Sequence, residues 1–122
     1  MTANKALGFV MEPIPLYLFK DSFGPVVALL NEHSVKYQMR QVRANVPMAA
    51  GEVIELLQSP AFLPSIAAVI IAFLKVRSSR KVIITMKDKV IVHAEGLSQK
   101  ELEKVLRKAK NLSAIETKND ET

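Results

Sequence analysis

The chain has 122 residues with no Cys and no Trp, which suits one domain that buries its core without a disulfide or metal staple. The missing cysteines exclude a disulfide framework, a thiol nucleophile and cysteine-based zinc or iron–sulfur sites, and they fit a reducing cytoplasm. The formal net charge of +5 is lopsided: residues 1–60 hold five acids and five bases, residues 61–122 seven acids and twelve bases, an imbalance that attracts phosphates or an acidic partner and equally suits a solvated surface.

Residues 1–13 read as an N-terminal arm with a short strand over 7–11; its apolar patch is too short for a signal peptide and runs into Glu12 and Pro13. Residues 15–20 (PLYLFK) read as the first main strand. Asp21 or Ser22 then caps a helix with Pro25 in its first turn, an apolar side of Val26, Val27, Leu29 and Leu30, and an end near His33. Residues 35–43 alternate: Val35, Tyr37, Met39 and Gln41 face one way, Lys36, Gln38, Arg40 and Val42 the other, as in a strand with one wet face. Residues 44–51 read as a loop and 51–58 (GEVIELLQ) as a short helix, which Pro60 and Pro64 end because neither has the N–H a helix interior needs.

The segment 66–82 (IAAVIIAFLKVRSSRKV) runs from an apolar stretch straight into positive charge. A helix over 64–77 has 14 residues, about 21 Å, whereas a bilayer core needs about 20 apolar residues. Backward extension meets both prolines and Gln58. The segment is therefore expected to be a central helix of a soluble domain, with no membrane span. It is apolar nearly all round and must be covered on more than one side. One cover is the sheet. The other is the helix over 51–58 or a second copy of the chain, which makes a homodimer one expectation. Lys75, Arg77, Arg80 and Lys81 complement the dipole at its C-terminal end.

Residues 80–96 read as a β-hairpin. A two-residue loop at Lys87 and Asp88 would mix polar and apolar partners. A three-residue loop, Lys87 to Lys89, sets Met86 against Val90, Ile84 against Val92 and Val82 against Ala94, and it segregates the faces better. The loop has neither Gly nor Asn. Residues 96–110 form the clearest helix, with Ser98 and Glu101 as a capping box, Leu97 and Leu102 as a hydrophobic staple, and Leu102, Val105, Leu106 and Ala109 as its buried stripe. Its Lys100, Lys104, Arg107 and Lys108 lie toward water. The order β–α–β–α–α–β–β–α predicts an α+β fold: a two-layer sandwich of ferredoxin-like flavour, an open sheet with helices mainly on one face. The domain spans 14–111, and 112–122 is expected to be a flexible C-terminal tail.

Signals for catalysis are poor, and no enzyme, cofactor or metal site is expected. His33 and His93 are far apart and lack metal-ligand spacing with another His, Asp or Glu. Gly8, Gly24, Gly51 and Gly96 are too dispersed for a phosphate loop or dinucleotide fingerprint. Glu52 with Glu55, and Glu101 with Glu103, read as solvated helix faces. A basic candidate binding surface comprises Lys75, Arg77, Arg80, Lys81, Lys87 and Lys89, with Arg40 and Arg43 joining if their strand neighbours the hairpin. Such a patch engages phosphates without reading sequence, yet no aromatic for stacking lies in 75–110.

The stretch 53–109 combines a helix, the Ala/Ile/Leu-rich helix SIAAVIIAFLKVR, the basic turn SSRK, the strands VIITM and VIVHA, and the capped helix LSQKELEKVL. With the β–α–β before it, this pattern resembles the effector-associated constant component family of bacterial conflict systems, from about residue 16 to 109. The resemblance implies a small non-enzymatic accessory component that couples effector proteins in defence or signalling operons, with no catalytic residue to carry over. The leading expectation is thus a cytoplasmic adaptor that binds a protein partner. The alternative is a sequence-nonspecific nucleic-acid binder using the 75–89 segment.

Overall fold

The computed structural model describes residues 12–39 and 51–116. Its elements are β1 (Ile14–Lys20), α1 (Phe23–Glu32), β2 (Tyr37–Met39), β3 (Gly51–Leu56), α2 (Phe62–Val76), β4 (Arg80–Met86), β5 (Ile91–His93), α3 (Gln99–Arg107) and β6 (Ala109–Glu116). The strands form one mixed sheet in the order β2-β3-β1-β6-β4-β5, with β1 and β6 parallel and every other neighbouring pair antiparallel. The chain contains the β-α-β-β-α-β order expected of a ferredoxin-like unit, set in a six-stranded sheet.

The pairings fix where the helices go. Each helix joins two strands that point the same way: β1–α1–β2 passes over β3, β3–α2–β4 passes over β1 and β6, and β5–α3–β6 passes over β4. With β1 pointing up, the crossovers from β1 and β5 both step toward the β2 edge. The crossover from the downward β3 steps toward the β5 edge. A half-turn in the sheet plane makes these the same move. One hand of crossover therefore sends all three helices to one face. Core composition agrees: Ile14, Leu16 and Leu18, Ile54 and Leu56, Val82 and Ile84, and Leu112 and Ala114 all lie on a single face of the sheet. They cluster with Val26 and Leu30 of α1, Ile66, Ile70 and Phe73 of α2, and Leu102 and Leu106 of α3. This is the two-layer α+β fold.

Three local expectations hold. α1 ends at the His33 cap. Ser98 Oγ accepts from the Glu101 N–H at 3.2 Å while Glu101 Oε1 accepts from the Ser98 N–H at 2.9 Å, and Leu97 packs on the core beside buried Leu102. The hairpin takes the three-residue register, with Ile84 opposite Val92. Its closing bonds run from Met86 N to Val90 O at 2.8 Å and from Lys89 N to Met86 O at 2.8 Å. Lys89 supplies the left-handed residue at φ 73° where the sequence offers no Gly.

Three others change. Residues 51–56 are strand β3, where Ile54 and Leu56 are buried and the register pairs β1 on one side and β2 on the other. A run of six residues fits either period when its apolar positions cluster, and two ladders of backbone partners decide it. The expected cover for α2 from a helix over 51–58 is therefore absent, and α1 and α3 flank α2 instead. The flexible tail assigned to 112–122 is overturned over 112–116: β6 runs to Glu116 between β1 and β4, with Leu112, Ala114 and Glu116 facing the core. Finally, Ser22 does not cap α1. Its buried Oγ donates to the Ala114 carbonyl at 3.0 Å, tying the start of α1 to β6. The arm strand at 7–11, the loop at 44–50 and residues 117–122 lie outside the described residues. No helix among the described residues is long and apolar enough to cross a membrane.

Candidate functional site

The basic cluster that is continuous in sequence is split in space. Lys75 and Arg77 sit at the C-terminal end of α2, near the start of β4, whereas Lys87 and Lys89 follow its end. Seven residues of strand separate them, about 20 Å at 3.3 Å per residue. Lys81 projects from β4 onto the face of the sheet away from the helices, with Ile115 as its register partner. Arg40 and Arg43 lie outside the described residues.

Arg80 has no place on a binding surface: it is only 8% exposed. Its Nη1 donates to the Phe73 carbonyl at 3.1 Å, and its guanidinium stands 4.5 Å from the centre of the Phe73 ring. Its Nε lies 3.1 Å from Glu116 Oε1 without the alignment of a hydrogen bond, so charge holds the pair. Glu116 is 4% exposed, and its other oxygen meets Arg77 Nη1 at 3.2 Å. The carboxylate at the end of β6 thus absorbs two of the cations expected to face a partner. Of that set, Lys75, Lys81, Lys87 and Lys89 remain exposed and outside any salt bridge to a described residue.

At the opposite end of the sheet the fold assembles a different basic site. A groove of about 420 Å³ is lined by Glu12, Pro13, Ile14, Gln58, Lys87, Leu106, Arg107, Ala109 and Lys110. Chain ends from five elements meet there. The Gln58 side-chain amide donates to the Glu12 carbonyl at 2.7 Å, holding the end of β3 to the entry of β1. The Lys87 N–H donates to the Lys108 carbonyl at 3.0 Å, holding the hairpin to the end of α3. The β4–β6 ladder slips here: Thr85 faces Asn111 but Met86 faces Ala109, which leaves Lys110 as the extra residue of a bulge. Bulges re-aim side chains, and this one sets Lys110 at the groove. Among the described residues no carboxylate salt-bridges Lys87, Arg107 or Lys110. Lys108 lines an adjoining depression with Met86, Lys87 and Asp88. Of these groove cations, only Lys87 belongs to the set legible in the sequence. Lys110 would have emerged had the alternation of Leu112, Ala114 and Glu116 been read as a strand.

The second surface is the bare face of the sheet, which no described element covers. Register places Val53, Tyr17, Ser113 and Ile83 in one row across β3, β1, β6 and β4, and Phe19, Ile115 and Lys81 in the next. Val53, Tyr17, Phe19, Ile83 and Ile115 are half-buried. Ile91, on the edge strand, is exposed. Tyr37 lies on the helix side, paired with buried Leu56 and packed on the core. The aromatics that reach the bare face come from β1 instead.

The two histidines sit on separate elements. His93 Nδ1 lies 4.0 Å from Glu95 Oε1, with both side chains exposed at the sheet edge. The His33 N–H donates to the Leu29 carbonyl at the end of α1. Among the described residues no three His, Asp or Glu side chains group to hold a metal ion. Comparisons with protein-family models, with curated proteins and with solved structures find no match.

Proposed function

We propose that this chain is a small non-enzymatic adaptor that works by protein–protein binding, and that its bare sheet face is the contact surface, met by the same face of a second copy. The supporting observation is the one-sided sheet. A soluble monomer rarely leaves a large contiguous apolar face in water, and Val53, Tyr17, Phe19, Ile115 and Ile83, spread over two adjacent rows, occupy the middle of this one. Four central strands about 20 Å long and two edge strands about half that length, at about 4.8 Å spacing, give roughly 500 Å² per copy, so two faces together reach the roughly 1,000 Å² expected of a specific interface. The charges suit self-association. Glu55, which accepts from Gln38 at 2.7 Å, and Lys81 lie at diagonally opposite corners of the face. A two-fold axis along the other diagonal sets each Lys81 opposite a Glu55 and each Tyr17 near the axis, with the two sheets crossing nearly at right angles.

A cytoplasmic setting accords with the absence of Cys, and a role in a bacterial defence or signalling system rests on the family resemblance alone. The alternative of a nucleic-acid binder using residues 75–89 has less support, because those cations divide between two ends of β4 and Arg80 is committed to Glu116. Sedimentation velocity across micromolar concentrations tests the proposal. The wild type is expected to dimerise, and the double variant Tyr17→Glu, Ile83→Glu to stay monomeric with its far-UV spectrum intact. A wild type that remains monomeric throughout would overturn the second copy as occupant.

A further inference from the structure

We infer that the groove at the β1-entry end of the sheet, lined by Lys87, Arg107 and Lys110, binds a phosphate group carried on a larger molecule. This site is separate from the bare sheet face and does not depend on the proposed self-association.

Ordinary structural roles account for only part of the cluster. Arg107, in the last turn of α3, complements the helix dipole. Lys87 and Lys110 stand outside that helix, at the end of β4 and on β6. They converge because the hairpin is tied to α3 through Lys108 and because the β6 bulge turns Lys110 outward. Three cations facing one groove repel one another, and no described carboxylate salt-bridges them. The Lys108 carbonyl is already occupied by the Lys87 N–H, which reduces the negative pole that α3 would otherwise turn toward an anion. Glu12 is the one acid in the lining, so the groove keeps a local excess of two positive charges.

The donor set favours phosphate over a lone carboxylate. A guanidinium fork and two separate ammonium groups come from three elements, α3, the end of β4 and β6, which suits a tetrahedral oxyanion with several acceptors. The volume of about 420 Å³ lies in the range for small-molecule sites and exceeds what orthophosphate fills. Of the apolar lining residues Pro13 is exposed while Ile14, Leu106 and Ala109 are buried beneath the groove, so the rest of the ligand meets a mainly polar surface. The same chemistry arises in a phosphorylated small molecule and in a nucleic-acid backbone.

The test is ¹⁵N-resolved NMR of the full chain titrated separately with pyrophosphate, a mononucleotide and oligothymidylate, at low and near-physiological salt. Saturable shifts are expected at Gln58, Lys87 and residues 106–110. Saturation by pyrophosphate or the mononucleotide identifies a small-molecule source, and saturation by the oligonucleotide alone identifies the diester backbone. The variant Lys87→Gln, Lys110→Gln should weaken binding at least about tenfold, the scale of one lost charge-assisted contact, and Lys75→Gln at the far end should leave it unchanged. The inference is overturned by shifts that never saturate, by shifts spread equally over Lys75, Lys81 and Lys100, or by a Lys75→Gln variant that loses as much affinity as the double one. Unaltered spectra of the variants away from the substituted sites confirm that loss of binding is not loss of fold.

Discussion

The two ends of β4 carry the same kind of side chain and put it to opposite use. At the start, Arg80 is buried against Phe73 and neutralised by Glu116, with Arg77 sharing the same carboxylate. At the finish, Lys87 joins Arg107 and Lys110 around a groove where no described carboxylate answers them. The difference lies in the neighbouring strand. β6 runs antiparallel to β4 and delivers Glu116 to one end and the bulged Lys110 to the other. Positive charge becomes structural or available for binding according to what an adjacent strand brings, and a run of Lys and Arg in sequence does not reveal which.

The sharpest way to break this comparison is Glu116→Gln. Removing one partner of a buried pair strands the other charge, at a cost of about 3–5 kcal/mol. For a domain of this size each kcal/mol moves the melting temperature by about 4 °C, so the transition should fall by more than ten degrees in a thermal melt. A drop of only a degree or two would mean that Arg80 reaches water in solution. The double variant Arg80→Met, Glu116→Leu should lose less than Glu116→Gln alone, because both charges leave the core together. A double-mutant cycle should then show coupling above about 1 kcal/mol; simple additivity would deny the pairing.

Legibility followed the range of the interactions that decide each element. The capping box of Ser98 and Glu101 and the hairpin register at Ile84 and Val92 depend on residues within about a dozen positions, and both were readable. β6 was not, because its alternation is short and follows directly on the helix that ends at Arg107. What makes 112–116 a strand is pairing with β1, nearly a hundred residues earlier, and with β4. Missing it hid Lys110 at the groove and left Glu116 without a role. β3 reads locally as a helix for a related reason: the partners of Ile54 and Leu56 are Leu16 and Ile14 on one side and Met39 and Tyr37 on the other. The bare face could not be foreseen either, since it follows from the strand order.

A smaller effect is expected in the hairpin loop beside the groove. Lys89 holds φ 73°, a conformation that costs an L-residue about 1 kcal/mol relative to glycine. Lys89→Gly should therefore raise stability by up to about 1 kcal/mol in urea unfolding, with the Ile84 and Val92 register retained. A loss of stability would show that the lysine side chain makes a contact worth more than the strain it bears.

The smallest effect separates the two ends of β4 most cleanly. Lys87→Gln and Lys110→Gln remove exposed cations without described carboxylate partners, and surface changes of this kind usually fall within about 0.5 kcal/mol. The sign is the informative part. Relieving repulsion among Lys87, Arg107 and Lys110 should leave the double variant at least as stable as wild type at low ionic strength. That advantage should fade as salt screens the cluster over a Debye length of about 10 Å at 0.1 M. Measured by urea unfolding at two salt concentrations, a stabilisation that shrinks with salt identifies charges held together by the fold rather than by partners. A destabilisation of the size expected for Glu116→Gln would place hidden carboxylate partners at this end too, and the two ends of β4 would then be alike.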